Sequence, residues 1–117
     1  MYPSQTRIIT APIDVSTLGD NVLITNPTTA PAWVYVKQIE VIPEAAVRMT
    51  FKAVHPVNGD RVFTGDALYQ SGQGFIFEGF DGQAPYVFEL HPGENFVLEL
   101  SAGVACKGFV NYTLNLG

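Results

Sequence analysis

Charge is what this chain has least of. Asp, Glu, Lys and Arg make up 15% of its 117 residues, against about 25% in an average soluble domain. What charge there is runs acidic, with 6 Lys+Arg against 11 Asp+Glu and a formal net charge of -5. There is no basic run to meet phosphates, so no nucleic-acid partner is expected. Cysteine is reduced to one residue, Cys106, which excludes an intrachain disulfide and with it the secreted disulfide scaffolds. Set in Gly-Val-Ala-Cys-Lys-Gly, that thiol reads as a small apolar filler. No apolar run approaches the roughly 18 residues of a membrane span. The opening Met1 to Arg7 lacks the apolar core of a signal peptide. No membrane partner is expected.

Chemistry-bearing patterns are equally scarce. The two histidines, His55 and His91, are each followed by proline, and no His-x-His or Cys/His cluster accompanies them, so no metal site is expected. Both read as strand-end or loop residues. Pro92-Gly93 is expected to turn a hairpin, and Glu89 and Glu99 across it are an imaginable carboxylate pair, but they occupy wet positions of alternating strands and read as solvated charge. Ser71-Gly72-Gln73-Gly74 is glycine-rich without a following helix or lysine, so it is no phosphate cradle. The turns Asn58-Gly59-Asp60, Gly65-Asp66 and Asp81-Gly82 lack the acidic spacing of a calcium loop. The chain is expected to be no enzyme, with no catalytic residue and no cofactor, and a small-molecule ligand is not expected.

What the chain does have is apolar bulk and punctuation. Hydrophobic residues are 47% and aromatics 12%, and glycine and proline are spread throughout, with 11 and 8 copies. That length and composition suit one domain burying about two-thirds of its unfolded surface. The punctuation breaks helices and bounds short strands. Val47, Met49, Phe51 and Ala53 alternate with polar Arg48, Thr50 and Lys52, one face buried and one wet. Tyr86, Phe88 and Leu90, then Phe96, Leu98 and Leu100, then Val110, Tyr112, Leu114 and Leu116 repeat the pattern. From Trp33 to Ile42 the apolar parity switches at Lys37-Gln38, so either the strand bulges there or it is buried on both sides at its ends. About eight strands at roughly 8–12-residue spacing predict an all-β fold. The expected architecture is a single antiparallel β-sandwich, jelly-roll or Greek-key-like. Residues 1–16 read as an N-terminal arm or first strand, and residues 17–117 as the sandwich domain.

The order of segments from Asp20 to Leu114 carries a family likeness. Asp20-Asn21-Val22-Leu23-Ile24 leads to Val36-Lys37-Gln38-Ile39-Glu40-Val41 and then Val47 to Lys52. Phe63-Thr64-Gly65-Asp66-Ala67-Leu68 and Gly72 to Phe77 follow, and Pro92-Gly93-Glu94-Asn95 opens the closing run to Ser101, with Gly108 to Leu114 last. This order resembles the small β-sandwich virion proteins of tailed bacteriophages, head decoration (cement) proteins in particular. The resemblance implies a structural protein made in the host cytoplasm and carried on the phage head surface. Its partners would be itself, as a homotrimer, and the major capsid protein. The alternative is a tail-fibre or receptor-binding module recognising a host surface glycan, with Trp33, Tyr35, Tyr69 and Tyr86 as the aromatic platform.

The segment before the sandwich supplies the interface candidates. Ile8-Ile9 is too short to build a core, and burying each is worth about 1.5–3 kcal/mol. Met1 to Ile13 is therefore expected to pack on a neighbouring subunit or on the capsid, with Arg7 facing an acidic surface. The competing expectation is that this segment is the sandwich's own first strand. The candidate interface residues are Tyr2, Arg7, Ile8, Ile9, Trp33 and Tyr35.

Overall fold

Branched and aromatic side chains at every second position, interrupted by Gly and Pro, leave the chain little choice but strands. The computed structural model describes residues 8–26, 31–79 and 86–115, and these form strands, turns and bends. Ten strands run in chain order: β1 Ile9–Val15, β2 Gly19–Ile24, β3 Trp33–Pro43, β4 Val47–His55, β5 Gly59–Val62, β6 Ala67–Tyr69, β7 Phe75–Glu78, β8 Phe88–Leu90, β9 Asn95–Leu100 and β10 Cys106–Asn115.

They build two antiparallel sheets. The first is ordered β1-β10-β3, with β7 and β8 both on the far side of β3. β8 lies beside Val34 to Val36 and β7 beside Gln38 to Val41. The second is ordered β2-β9-β4, with β6 beside Val47 to Met49 and β5 beside Lys52 to His55. Pairs of short strands thus share one position in each sheet, so ten strands fill eight places. The pairing is nested: first strand with last, second with last but one, third with β8. That is a hairpin folded over on itself, the jelly-roll arrangement.

The core lies between the sheets. Val34, Val36, Ile39 and Val41 enter from one side, and Met49, Phe51, Phe96, Leu98 and Leu100 from the other, all nearly inaccessible to water. Of the two readings of the parity switch in β3, the bulge is the one present. Gln38 pairs with Asn111 and Val36 with Tyr112, leaving Lys37 as the extra residue. That one insertion lets valines on both sides of it face inward. Phe51 stacks against Phe75 at 4.3 Å and Phe96 at 5.9 Å, and Phe63 against Phe88 at 4.6 Å. Gly108 brings β10 against β3 where a side chain would strike the Glu40 carbonyl. Asn26, fully buried, joins the end of β2 to its surroundings. It donates to the Ala32 and His91 carbonyls and accepts from the Ala32 N–H.

Several expectations need correction. Ile9 to Val15 is not an arm reaching outward; it pairs with β10 along seven residues. The reason is Ile13, which fills the core from β1. Pro92-Gly93 does not close a hairpin within one sheet. β8 belongs to the first sheet and β9 to the second, so Glu89 and Glu99 lie on opposite sheets and form no pair. Lys52, placed by alternation on a wet face, is buried there by three carboxylates, Asp20 at 3.0 Å, Glu99 at 3.2 Å and Asp60 at 3.3 Å. The Asp81-Gly82 turn and Leu116 lie outside the described residues.

Candidate functional site

The register of the first sheet places outward-facing side chains in rows. One row is polar: the Thr10 hydroxyl donates to Asn111 Oδ1 at 2.7 Å, and Asn111 Nδ2 donates to Gln38 Oε1 at 3.1 Å. The next row runs Pro12, Phe109, Glu40, Ile76 across β1, β10, β3 and β7. Ile42 and Ile76 both lie over Gly74, which adds a further apolar side chain to a row that is apolar except for Glu40. The row reaches the edge of the sheet at β7, where Ile76 is 57% exposed on this face and Phe77 53% exposed on the inner side.

β7 is an edge strand, with no strand paired to its other side among the described residues. The Gly79 N–H donates to the Lys37 carbonyl at 2.8 Å. Alternate residues of an antiparallel strand point their backbone groups to opposite sides, so Phe75 and Phe77 bond toward β3. Gly74, Ile76 and Glu78 direct their N–H and C=O groups to the open side. Phe75 is anchored in the core, its ring 4.6 Å from Phe77 and 4.3 Å from Phe51. The second sheet is also apolar along this flank, with Val62 and Leu68 half exposed or more.

The six interface candidates do not form one patch. Tyr2 and Arg7 lie outside the described residues. Ile8 is exposed just before β1. Ile9 pairs with Tyr112, which pairs with inward-facing Val36, so Ile9 lies on the inner face. Trp33 and Tyr35 are on the outer face. Trp33 meets the His91 ring edge-on and Tyr35 tilts against Tyr86, each at 5.0 Å. Burial, then the Glu89 carboxylate and Tyr86, push the Tyr35 phenol's pKa up. Of the four platform aromatics, Trp33, Tyr35 and Tyr86 are thus gathered on one face. Tyr69 is not; it sits on β6 of the other sheet, edge-on to Phe75.

Two ionic clusters escaped the sequence reading. Arg61 on β5 grips Glu94 through two hydrogen bonds, Nε at 2.8 Å and Nη2 at 2.7 Å, and its Nη2 also reaches the Glu89 carbonyl at 3.0 Å. The His91 N–H donates to Glu94 Oε1 at 2.7 Å. Burial alone would raise the Glu94 pKa, but the Arg61 and His91 hydrogen bonds outweigh it and hold it below its usual range. In the other cluster, burial would lower the Lys52 pKa, but the hydrogen bonds its ammonium donates to Asp20, Glu99 and Asp60 hold it raised. Beside them Arg48, Thr50, Asp66, Glu99 and Ser101 line a polar depression. No group of His, Cys, Asp and Glu among the described residues is placed to hold a metal ion. Cys106 is buried, its thiol directed at the Val104 carbonyl at 3.5 Å, and burial followed by Glu44 pushes its pKa up.

No protein-family model matches this chain, and no curated protein does. A solved structure titled "Crystal structure of PirA" aligns over 98% of this chain and 97% of its own, at 9% identity and a TM-score of 0.32. A likeness that loose carries no argument about fold or function.

Proposed function

We propose that this chain is a structural, non-enzymatic protein of a tailed-phage virion, a capsid decoration (cement) protein that binds the outer head shell and stabilises it. The observation that carries the reading is the outer-face row Pro12, Phe109 and Ile76 with neighbouring Ile42, apolar except for Glu40 and exposed where it ends at Ile76. The core is complete without these side chains. An apolar surface on a charge-poor domain is area that docking removes from water. Weak single contacts, repeated at every lattice position and shared among linked copies, hold through avidity. The major capsid protein is the partner this reading requires.

The test is co-sedimentation of the purified protein with undecorated phage heads. Saturable binding is expected, with a raised disruption temperature of the head. Phe109→Glu should weaken binding while leaving the melting transition intact. Failure to bind heads overturns the proposal. A second reading, a glycan-binding module, is favoured by Trp33, Tyr35 and Tyr86 sharing one face beside Glu89. Titration of Trp33 fluorescence with host polysaccharide tests it; an unchanged spectrum sinks it.

A further inference from the structure

We propose that β7 is a self-association edge: it pairs antiparallel with β7 of a second copy across a two-fold axis at Ile76. The outward-facing backbone groups belong to Gly74, Ile76 and Glu78, as the Gly79 to Lys37 hydrogen bond fixes. Centred on Ile76, they meet in register. Ile76 exchanges both hydrogen bonds with its own counterpart, and Gly74 and Glu78 exchange theirs with Glu78 and Gly74 of the second copy. Ile76 then faces Ile76 on the outer face, and each Phe77 faces Phe75 of the second copy on the inner face. Aromatic cross-strand pairs of this kind stabilise sheets. Each Glu78 faces a glycine, so no two acids oppose each other. A two-fold centred on Phe77 instead sets Ile76 against Glu78.

β6 and β8 are edges of only three residues, and the longer edges are poorer partners than a second β7. β1 carries Pro12, which has no N–H to offer. β2 shifts register between Val22 and Ile24, and bulged edges pair poorly. On β5, Asp60 and Arg61 are engaged with Lys52 and Glu94. Head-to-tail addition through the first sheet is therefore closed, and the isologous pair ends at two copies instead of growing into a fibre. A strand of four residues makes a concentration-dependent contact, too small alone for a permanent dimer. The pairing covers Ile76, which the capsid reading also uses, but it is measured on the purified chain without heads, so the two readings fail separately. A homotrimer needs a different, heterologous contact.

Sedimentation velocity over a concentration series should show a monomer–dimer equilibrium. Ile76→Lys sets two ammonium groups across the axis and should weaken the dimer by about tenfold or more, with the monomer's melting transition retained. Residues facing each other in a hydrogen-bonded pair have Cα atoms about 5.5 Å apart, within disulfide reach. Ile76→Cys should therefore give an oxidised dimer on a non-reducing gel. Wild type, whose Cys106 is buried, and Glu78→Cys should not. A monomer at every concentration, a trimer, or cross-linking of Glu78→Cys in preference to Ile76→Cys overturns the proposal. Far-ultraviolet circular dichroism of the reduced variants checks that each is folded, and Ile76→Thr replaces any variant that is not.

Discussion

The two flanks of the sandwich are held together by different means. On the β1–β2 flank the backbone does the holding: β1 pairs with β10 along seven residues, and β2 runs along β9 for most of its length. That flank also defends its edges, through Pro12 and the bulge in β2. The opposite flank has four short strands, β5, β6, β7 and β8, of 4, 3, 4 and 3 residues. Ladders that short contribute little, so side chains take over. Arg61 ties β5 to the turn before β9, and Phe63, Phe75 and Phe88 stack between the sheets. The difference teaches that edge protection and backbone regularity go together here. Where the ladder is cut into pieces, the edge is left apolar and open.

Removing the aromatic support of the short-strand flank should have the largest effect. Phe75→Ala deletes a ring that touches Phe51, Phe77 and Phe88 and should cost about 3–5 kcal/mol, read by urea denaturation. An effect below 1 kcal/mol would mean the short strands hold without it. Next comes the ionic tie. Glu94→Gln should cost about 2 kcal/mol at neutral pH, the low end for a buried pair because the Arg61 side chain is 40% exposed and screened. The folded carboxyl's pKa is depressed, so its stabilisation is present above the unfolded value of about 4.3 and is lost as pH falls through the folded value. Wild type and variant should converge in stability only once the pH has fallen below that depressed folded value. The smallest effect on stability tests the guarded flank. Pro12→Thr restores an edge N–H and should change the unfolding free energy by less than about 0.5 kcal/mol. It should still create a second mode of association, visible by sedimentation even when Ile76→Lys has closed β7.

Much of the fold was legible because side-chain parity is a direct record of which face is buried. The switch at Lys37-Gln38 marked the bulge, since no straight strand can turn both Val36 and Ile39 inward. Pairing partners were not legible. Pro92-Gly93 makes the same local turn whether the chain folds back in its sheet or crosses to the other, and only the packing of Leu90 and Phe96 against opposite layers decides. Lys52 kept its alternation but not its exposure, because Asp20, Asp60 and Glu99 come from three other strands. Arg61 and Glu94 are 33 residues apart and meet only once the sheets stack. The run Phe75-Ile76-Phe77 was a signal that could have been used. Three bulky apolar residues in sequence cannot all face one side of a strand, and one of them had to be left outside.

The nesting of first strand with last has a consequence for how the protein is made. β10 lies between β1 and β3, so the centre of the first sheet is supplied by residues that leave the ribosome long after both of its neighbours. Until Cys106 to Asn115 emerge, β1 has no neighbour in its sheet and β3 lacks one side. The nascent chain therefore cannot complete this sheet before β10 emerges, and closing so distant a contact is a step whose entropic cost slows folding. Ribosome-bound chains stopped short of Cys106 should be degraded by a protease that leaves the full chain intact.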